Sequence, residues 1–278
     1  MAYSKKRALE ITDIAEDVGI CGASALLGIS IDSVKRACRM ANYTEANEDG
    51  PVLVFSDLHA PYHHPKAIEF LKYIHRIRGC RERVVCAGDM WDFHSMSFHK
   101  SEPDAPCPEK EYAAVRAFSA ELAEAFPHGD LVLGNHCDIP RRQMVDKGLA
   151  ISMLKEGNDL YNLPETWSIH PLYHVIDPEG WNVLVEHRGL GGKYGCMNAM
   201  KEKRCSFIQG HTHASAMVGQ SSNYRDTVFG ANSGWLGDGD SLAARYGEHM
   251  VKKGNLGCLV VYSGEHAEFI PMSSMGKL

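Results

Sequence analysis

Five short stretches of this 278-residue chain carry side chains that bind metal ions. They are Asp57-Leu58-His59, Asp89-Met90-Trp91-Asp92, Asn135-His136, His187 and His211-Thr212-His213. A spacing of two in an extended segment puts both side chains on one side, so Asp57 with His59, and His211 with His213, can each face a single site. Imidazoles mixed with carboxylates suit Mn, Fe, Zn or Ni better than Ca or Mg, which prefer all-oxygen shells. The candidate ligands Asp57, His59, Asp89, Asn135, His187, His211 and His213 are more than one ion needs. They suit two divalent ions, Mn first among them, with Asp89 the natural bridge. Only Asp57 and Asp89 in this set are anionic. Two dications would leave the site positive, which favours an anionic substrate such as a phosphate ester and attack by a metal-bound hydroxide.

Each stretch follows directly on an apolar run that reads as a buried strand: Val52–Phe55, Arg83–Ala87, Asp130–Leu133, Trp181–Val185 and Cys205–Ile208. Pro65–Arg78 and Tyr112–Phe126 read as helices between them, and this alternation predicts an α/β domain. In open α/β sheets ligands bind beyond the carboxyl ends of the strands, so five strand ends deliver these side chains to one rim. Ser101–Pro108, with three prolines, reads as a surface loop. Further strands are expected at about Tyr224–Phe229, Gly257–Tyr262 and Ala267–Ile270.

The ordered set D-x-H, G-D-x-x-D, G-N-H, a histidine after a strand and G-H-T-H resembles the calcineurin-like metallophosphoesterase superfamily over about residues 51–236. Asn232-Ser233-Gly234 is similar to a turn that relatives often carry. The resemblance implies a two-layer or four-layer α/β sandwich with a binuclear metal centre. It implies that Asp57, His59 and His213 hold the first metal, that Asn135, His187 and His211 hold the second, and that Asp89 bridges. It also implies that His136 lies beside the leaving group as a proton donor, oriented by Asp92. One departure is that relatives usually carry Asp or Glu directly after G-N-H, whereas here Cys137 comes first and Asp138 second. Glu186 has no assigned role.

Other residues carry weaker signals. Arg141 and Arg142 follow the G-N-H turn and suit bidentate phosphate contact as well as a solvated helix start. Trp91 and Trp235 read as core residues ahead of ring-stacking platforms. Gly189–Tyr194 lacks the spacing and the hydroxyl residue of a nucleotide P-loop and reads as a rim loop. Cys137 has no base partner that would make it a nucleophile. His63, His64, His75, His94, His99 and His128 read as surface or satisfied core groups.

Residues 1–45 read as a small helical domain. Ile11, Ile14, Ala15 and Val18 form one helical stripe, and a short helix runs from about Gly22 to Leu27. Gly28-Ile29-Ser30 makes a turn, and Ser30 or Asp32 caps a third helix through Asn42. The segment from Gly22 to Arg36 resembles a helix-turn-helix, which would let Lys35, Arg36 and Arg39 meet DNA phosphates. Glu45–Pro51 is a linker, and residues 51–278 form the metallophosphoesterase domain. The net charge of −6 argues against indiscriminate nucleic-acid binding over the whole surface. Nine cysteines without a C-x-x-C pair fit a reduced, cytoplasmic setting, and no apolar run approaches membrane-spanning length. The expected activity is metal-dependent hydrolysis of a phosphodiester, in nucleic acid (a nuclease) or a nucleotide. The alternatives are a phosphomonoesterase or protein phosphatase, and a catalytically inactive DNA-binding adaptor.

Overall fold

The computed structural model describes residues 50–98, 104–155, 157–178, 182–241 and 254–277, together with residues 7, 10, 11, 14, 23–31, 33, 34 and 37. The chain forms two compact units, Met1–Glu48 and Asp49–Leu278. In the first, Ile11, Ala23, Val34 and Ala37 are buried together, with Ile14, Leu27 and Ile29 packed on them. A helical segment at 23–27 gives way to Gly28, whose φ of 63° is the left-handed turn that glycine adopts without a Cβ clash. Ser30 Oγ then accepts the Ser33 N–H at 3.2 Å and caps the next helical segment. Ala15, Val18, Asp32, Lys35, Arg36 and Arg39, on which much of the helix-turn-helix reading depends, lie outside the described residues.

The described residues of the second unit form eleven strands. They are β1 (Val52–Phe55), β2 (Val84–Cys86), β3 (Gly129–Val132), β4 (Trp167–His170), β5 (Tyr173–Ile176), β6 (Val183–Glu186), β7 (Ser206–Gln209), β8 (Met217–Ser222), β9 (Thr227–Asn232), β10 (Gly257–Val261) and β11 (Ala267–Pro271). One sheet has the order β11-β10-β1-β2-β3-β4 and the other β5-β6-β7-β9-β8. Both are mixed. Strands β1 to β4 run parallel, β10 is antiparallel to β1, and β11 is antiparallel to β10 at the edge. In the other sheet β6, β7 and β9 are parallel, flanked by antiparallel β5 and β8.

Side-chain alternation divides the core into layers. Val52 and Val54 of β1 face inward and meet Val183, Val185, Ile208 and Phe229 of the other sheet. Leu53 and Phe55 face outward, onto helices α1 (Ala67–Arg78) and α2 (Pro108–Ala125), which contribute Phe70, Leu71, Ile74, Val115 and Leu122. A helix at Gly195–Lys203 covers the outer face of the second sheet through Cys196, Ala199 and Met200 packed on Phe207. The architecture is an α/β sandwich of four layers, helix–sheet–sheet–helix. Among the described residues, no helix is long and apolar enough to cross a membrane.

Several element boundaries differ from those expected. Pro108 opens α2 rather than closing a loop, because a proline at the first helical positions has no N–H to leave unpaired. The strand expected from Tyr224 begins at Thr227, because Asn223 Oδ1 accepts the N–H groups of Arg225 and Asp226 and closes a turn there. Trp181, expected to open a strand, lies outside the described residues, and that strand begins at Val183. Strands β4, β5 and β8 carry no continuous apolar run and were not expected.

Candidate metal centre

The C-terminal ends of β1, β2 and β3 in one sheet, and of β6 and β7 in the other, carry all five ligand stretches to one rim. Sharp backbone turns at those ends aim the side chains. Asp57, His59, Asp89 and His211 all have φ between 44° and 66°, a left-handed region that non-glycine residues adopt only at a cost. The tight β1 and β2 turns hold one another: Asp57 N–H donates to Gly88 O at 2.9 Å and His59 N–H to Asp89 O at 3.0 Å. Gly134 leaves room for the Asp89 carboxylate, which a Cβ at that position would overlap.

The side chains gather into two triads. In the first, His213 Nε2 lies 3.1 Å and His59 Nε2 3.7 Å from Asp57 Oδ1, and the two Nε2 atoms are 3.2 Å apart. In the second, Asp89, His187 and His211 converge, with His187 Nε2 2.9 Å from Asp89 Oδ2. Asn135 Oδ1 approaches the same His187 nitrogen at 3.2 Å. The triads are joined, because the His211 backbone N–H donates to Asp57 Oδ2 at 2.9 Å. His187 Nδ1 lies 3.0 Å from the Ala87 carbonyl, which fixes the ring and leaves Nε2 facing the site. Asp92 serves two rings at once: its Oδ1 is 2.6 Å from His59 Nδ1 and 2.8 Å from His136 Nδ1.

Charge shapes each of these groups. Burial alone would push the Asp57 carboxyl up, but hydrogen bonds from His213 and His59 hold it well below the usual carboxylate range. Burial acts on Asp89 in the same way, and the charge and hydrogen bond of His187 bring it down to about 2. Burial would lower His187, but Asp89 raises it to about 9. Hydrogen bonds to Asp57 and Asp92 likewise overcome burial at His59 and hold its pKa well above the ordinary imidazole value. His211 moves the other way, lowered by burial and by the neighbouring His187 charge.

This donor set fits divalent metal ions. Two imidazole nitrogens 3.2 Å apart, one of them 3.1 Å from a carboxylate oxygen, bring three ligand atoms together, and a cation between them satisfies all three lone pairs. Oxygen and nitrogen donors in this mixture suit the Mn-to-Zn series. Asp57, His59 and His213 would hold one ion, and Asp89, His187, His211 and Asn135 the other.

The remaining sequence candidates fall at different places. Arg141 is held fork-to-fork by Asp138 at 2.6 Å, and the Arg142 guanidinium lies over the Phe98 ring at 4.9 Å. Glu186 pairs with Lys203. Trp91 is buried and stacked on Tyr161 at 3.8 Å, while Trp235 stacks on the candidate ligand His213 at 5.5 Å. Cys137 is fully buried with its thiol pushed up to about 12, so it stays protonated and inert. Two features escaped the sequence reading. Arg188, next to His187, donates its Nε–H to Asn135 Oδ1 at 3.1 Å and sets a fixed positive charge at the rim. Buried Glu111 accepts the backbone N–H groups of His94 and Ser95 and so pins the segment that follows Asp92.

No protein-family model matches the chain, and no curated protein matches it. Among solved structures it is similar to Vps29 of Entamoeba histolytica, crystallised with zinc, at 13% identity and a TM-score of 0.39, over 80% of this chain and 99% of that one. It is similar to Vps29 of Chaetomium thermophilum at 12% identity and a TM-score of 0.38, over 69% and 71% of the two chains. A Thermotoga maritima protein, TM1076, is similar at 15% identity and a TM-score of 0.35, over 80% and 98%.

Proposed function

We propose that the chain is a metal-dependent phosphoesterase of the calcineurin-like kind, with a phosphodiester as its substrate. The observation that carries this reading is the pair of imidazole–carboxylate triads, joined through the His211 N–H to Asp57, at one rim of a two-sheet sandwich. Bound there, two divalent ions, Mn first, would supply Lewis acidity toward phosphoryl oxygens and activate water. The chain's own residues do the rest. Arg188 and the positive rim draw the anionic ester toward the centre. Asp92 occupies His136 Nδ1, which leaves Nε2 to hand a proton to the departing oxygen. The same carboxylate fixes the His59 ring, so the proton donor and the metal ligand keep one mutual orientation. Phosphate contact by Arg141 and Arg142 requires Arg141 to leave Asp138. The choice of a diester, and of DNA as substrate or partner, rests on the sequence of residues 1–45.

The test is turnover by the Mn-loaded full chain. Bis(p-nitrophenyl) phosphate, p-nitrophenyl phosphate, single- and double-stranded DNA, RNA and cyclic nucleotides make up the panel. Diester hydrolysis that disappears in Asp89→Asn supports the reading. Faster turnover of the monoester moves the assignment to a phosphomonoesterase. No turnover with Mn, Zn, Fe or Ni overturns it.

A further inference from the structure

We infer that Asp130, His170 and His174 form a separate cation site, sharing no ligand with the two triads above, that takes a zinc-class divalent ion. One ligand atom from each lies within 4.8 Å of the others. Asp130 sits in β3, on the same face as Val132, which belongs to the layer between the two sheets. It is only 4% exposed. His170 ends β4, and His174 is the second residue of β5. The ligands therefore come from both sheets, at the corner where Pro171 and Leu172 carry the chain from one to the other.

An ordinary ion-pair arrangement explains only part of this cluster. Asp130 Oδ1 lies 2.8 Å from His170 Nε2, and its Oδ2 receives Arg83 Nη1 at 3.1 Å. The carboxylate is thereby satisfied. His174 is surplus: its Nε2 stands 3.6 Å from Oδ2, beyond hydrogen-bond distance, with its ring stacked on His170 at 4.2 Å between centroids. Two half-buried imidazoles turned toward one carboxylate repel each other if both are protonated. A cation reconciles them.

The spacing matches that role. Metal–nitrogen and metal–oxygen bonds of about 2.0–2.2 Å in tetrahedral geometry put neighbouring donor atoms about 3.3–3.6 Å apart. His170 Nε2 lies 2.8 Å from Asp130 Oδ1 and His174 Nε2 3.6 Å from Oδ2 of the same carboxylate, so small side-chain shifts bring all three donors to such spacing. Arg83 also donates to the carbonyls of Gly129 and Thr166, so it is a fixed outer partner that leaves Oδ1 for the ion. Three protein ligands leave a fourth position open to water. An ion held there ties β5 to β3 and β4, and it stabilises the fold by binding only the folded state.

The experiment loads the full chain with Zn2+, removes free metal by gel filtration and counts bound zinc. The wild type should hold one more equivalent than His170→Ala/His174→Ala, and that equivalent should persist in Asp89→Asn/His211→Ala. Zinc should raise the melting temperature of Asp89→Asn/His211→Ala, and adding the two alanines at 170 and 174 should shrink that rise to the part contributed by Asp57, His59 and His213. Equal zinc content in the wild type and His170→Ala/His174→Ala, with matching circular dichroism, overturns the site. Should that variant not fold, His174→Gln decides. At least about tenfold weaker binding of the extra ion supports the site, and unchanged affinity overturns it. Failure of the strand-end centre reads differently, because the wild type would then hold a single zinc and the 170/174 variant none.

Discussion

Replacing Asp89 by Asn in the metal-free protein should flatten the pH dependence of its stability. His187 is buried and held at about 9 by Asp89, against about 6.5 for an exposed imidazole. A raised folded value means that the stabilisation is complete below about pH 6.5 and is lost as pH climbs through about 9. The full shift corresponds to about 3 kcal/mol seen from His187 and about 2 kcal/mol seen from Asp89. The smaller figure is the better measure of the pair, because His187 also draws on the Asp57 charge and the Ala87 carbonyl. Between about pH 6.5 and 8 the loss should be on the order of 1–2 kcal/mol. The window stops there because Cys86, Cys137 and Cys258 are buried thiols pushed up, whose unfolded counterparts ionise above about pH 8.5 and lower stability for another reason. Urea unfolding in chelator at steps across the window reads the slope directly. Wild type and Asp89→Asn with equal slopes would show that this ion pair does not govern the titration of His187.

Three further outcomes follow from the same geometry. His136→Ala should lower kcat about 10²–10⁴-fold on esters with poor leaving groups and much less on p-nitrophenyl esters; equal losses on both would remove its role as proton donor. Gly134→Ala should weaken metal uptake and destabilise the fold by about 1–3 kcal/mol, since the new methyl overlaps the Asp89 carboxylate; calorimetry and metal analysis would detect either effect. Removing residues 1–45 should weaken duplex DNA binding while sparing hydrolysis of a small diester, and unchanged DNA affinity would dismiss the N-terminal contact.

What could be read from sequence followed burial. Strands β1, β2 and β7 are buried at every residue, so their apolar runs stand out, and the polar residues after them announce strand ends. Strands β4 and β5 lie at sheet edges, with most residues only partly covered, and their mixed sequences look like loop. The spacing of two assumed extended backbone, but Asp57, His59 and His211 adopt left-handed φ. His211 and His213 fall in different triads, so the turns rather than the pleat aim them, and the spacing did not tell which nitrogen each would present. That depends on partners far along the chain, such as Asp92 for His59 and Ala87 for His187. The cluster of Asp130, His170 and His174 was hidden for the same reason: its members sit within strands, and only the crossing from β4 to β5 brings them together.

The central strand β1 has a late neighbour. It lies between β2 and β10, and β10 is synthesised after every candidate metal ligand. A nascent chain that has just exposed His213 therefore presents β1 with one flank bare, an adhesive template for stray extended polypeptide. Truncations that stop after β9 would keep the whole ligand set yet aggregate. The last strands, which contribute no ligand, thus act as the guard of the first.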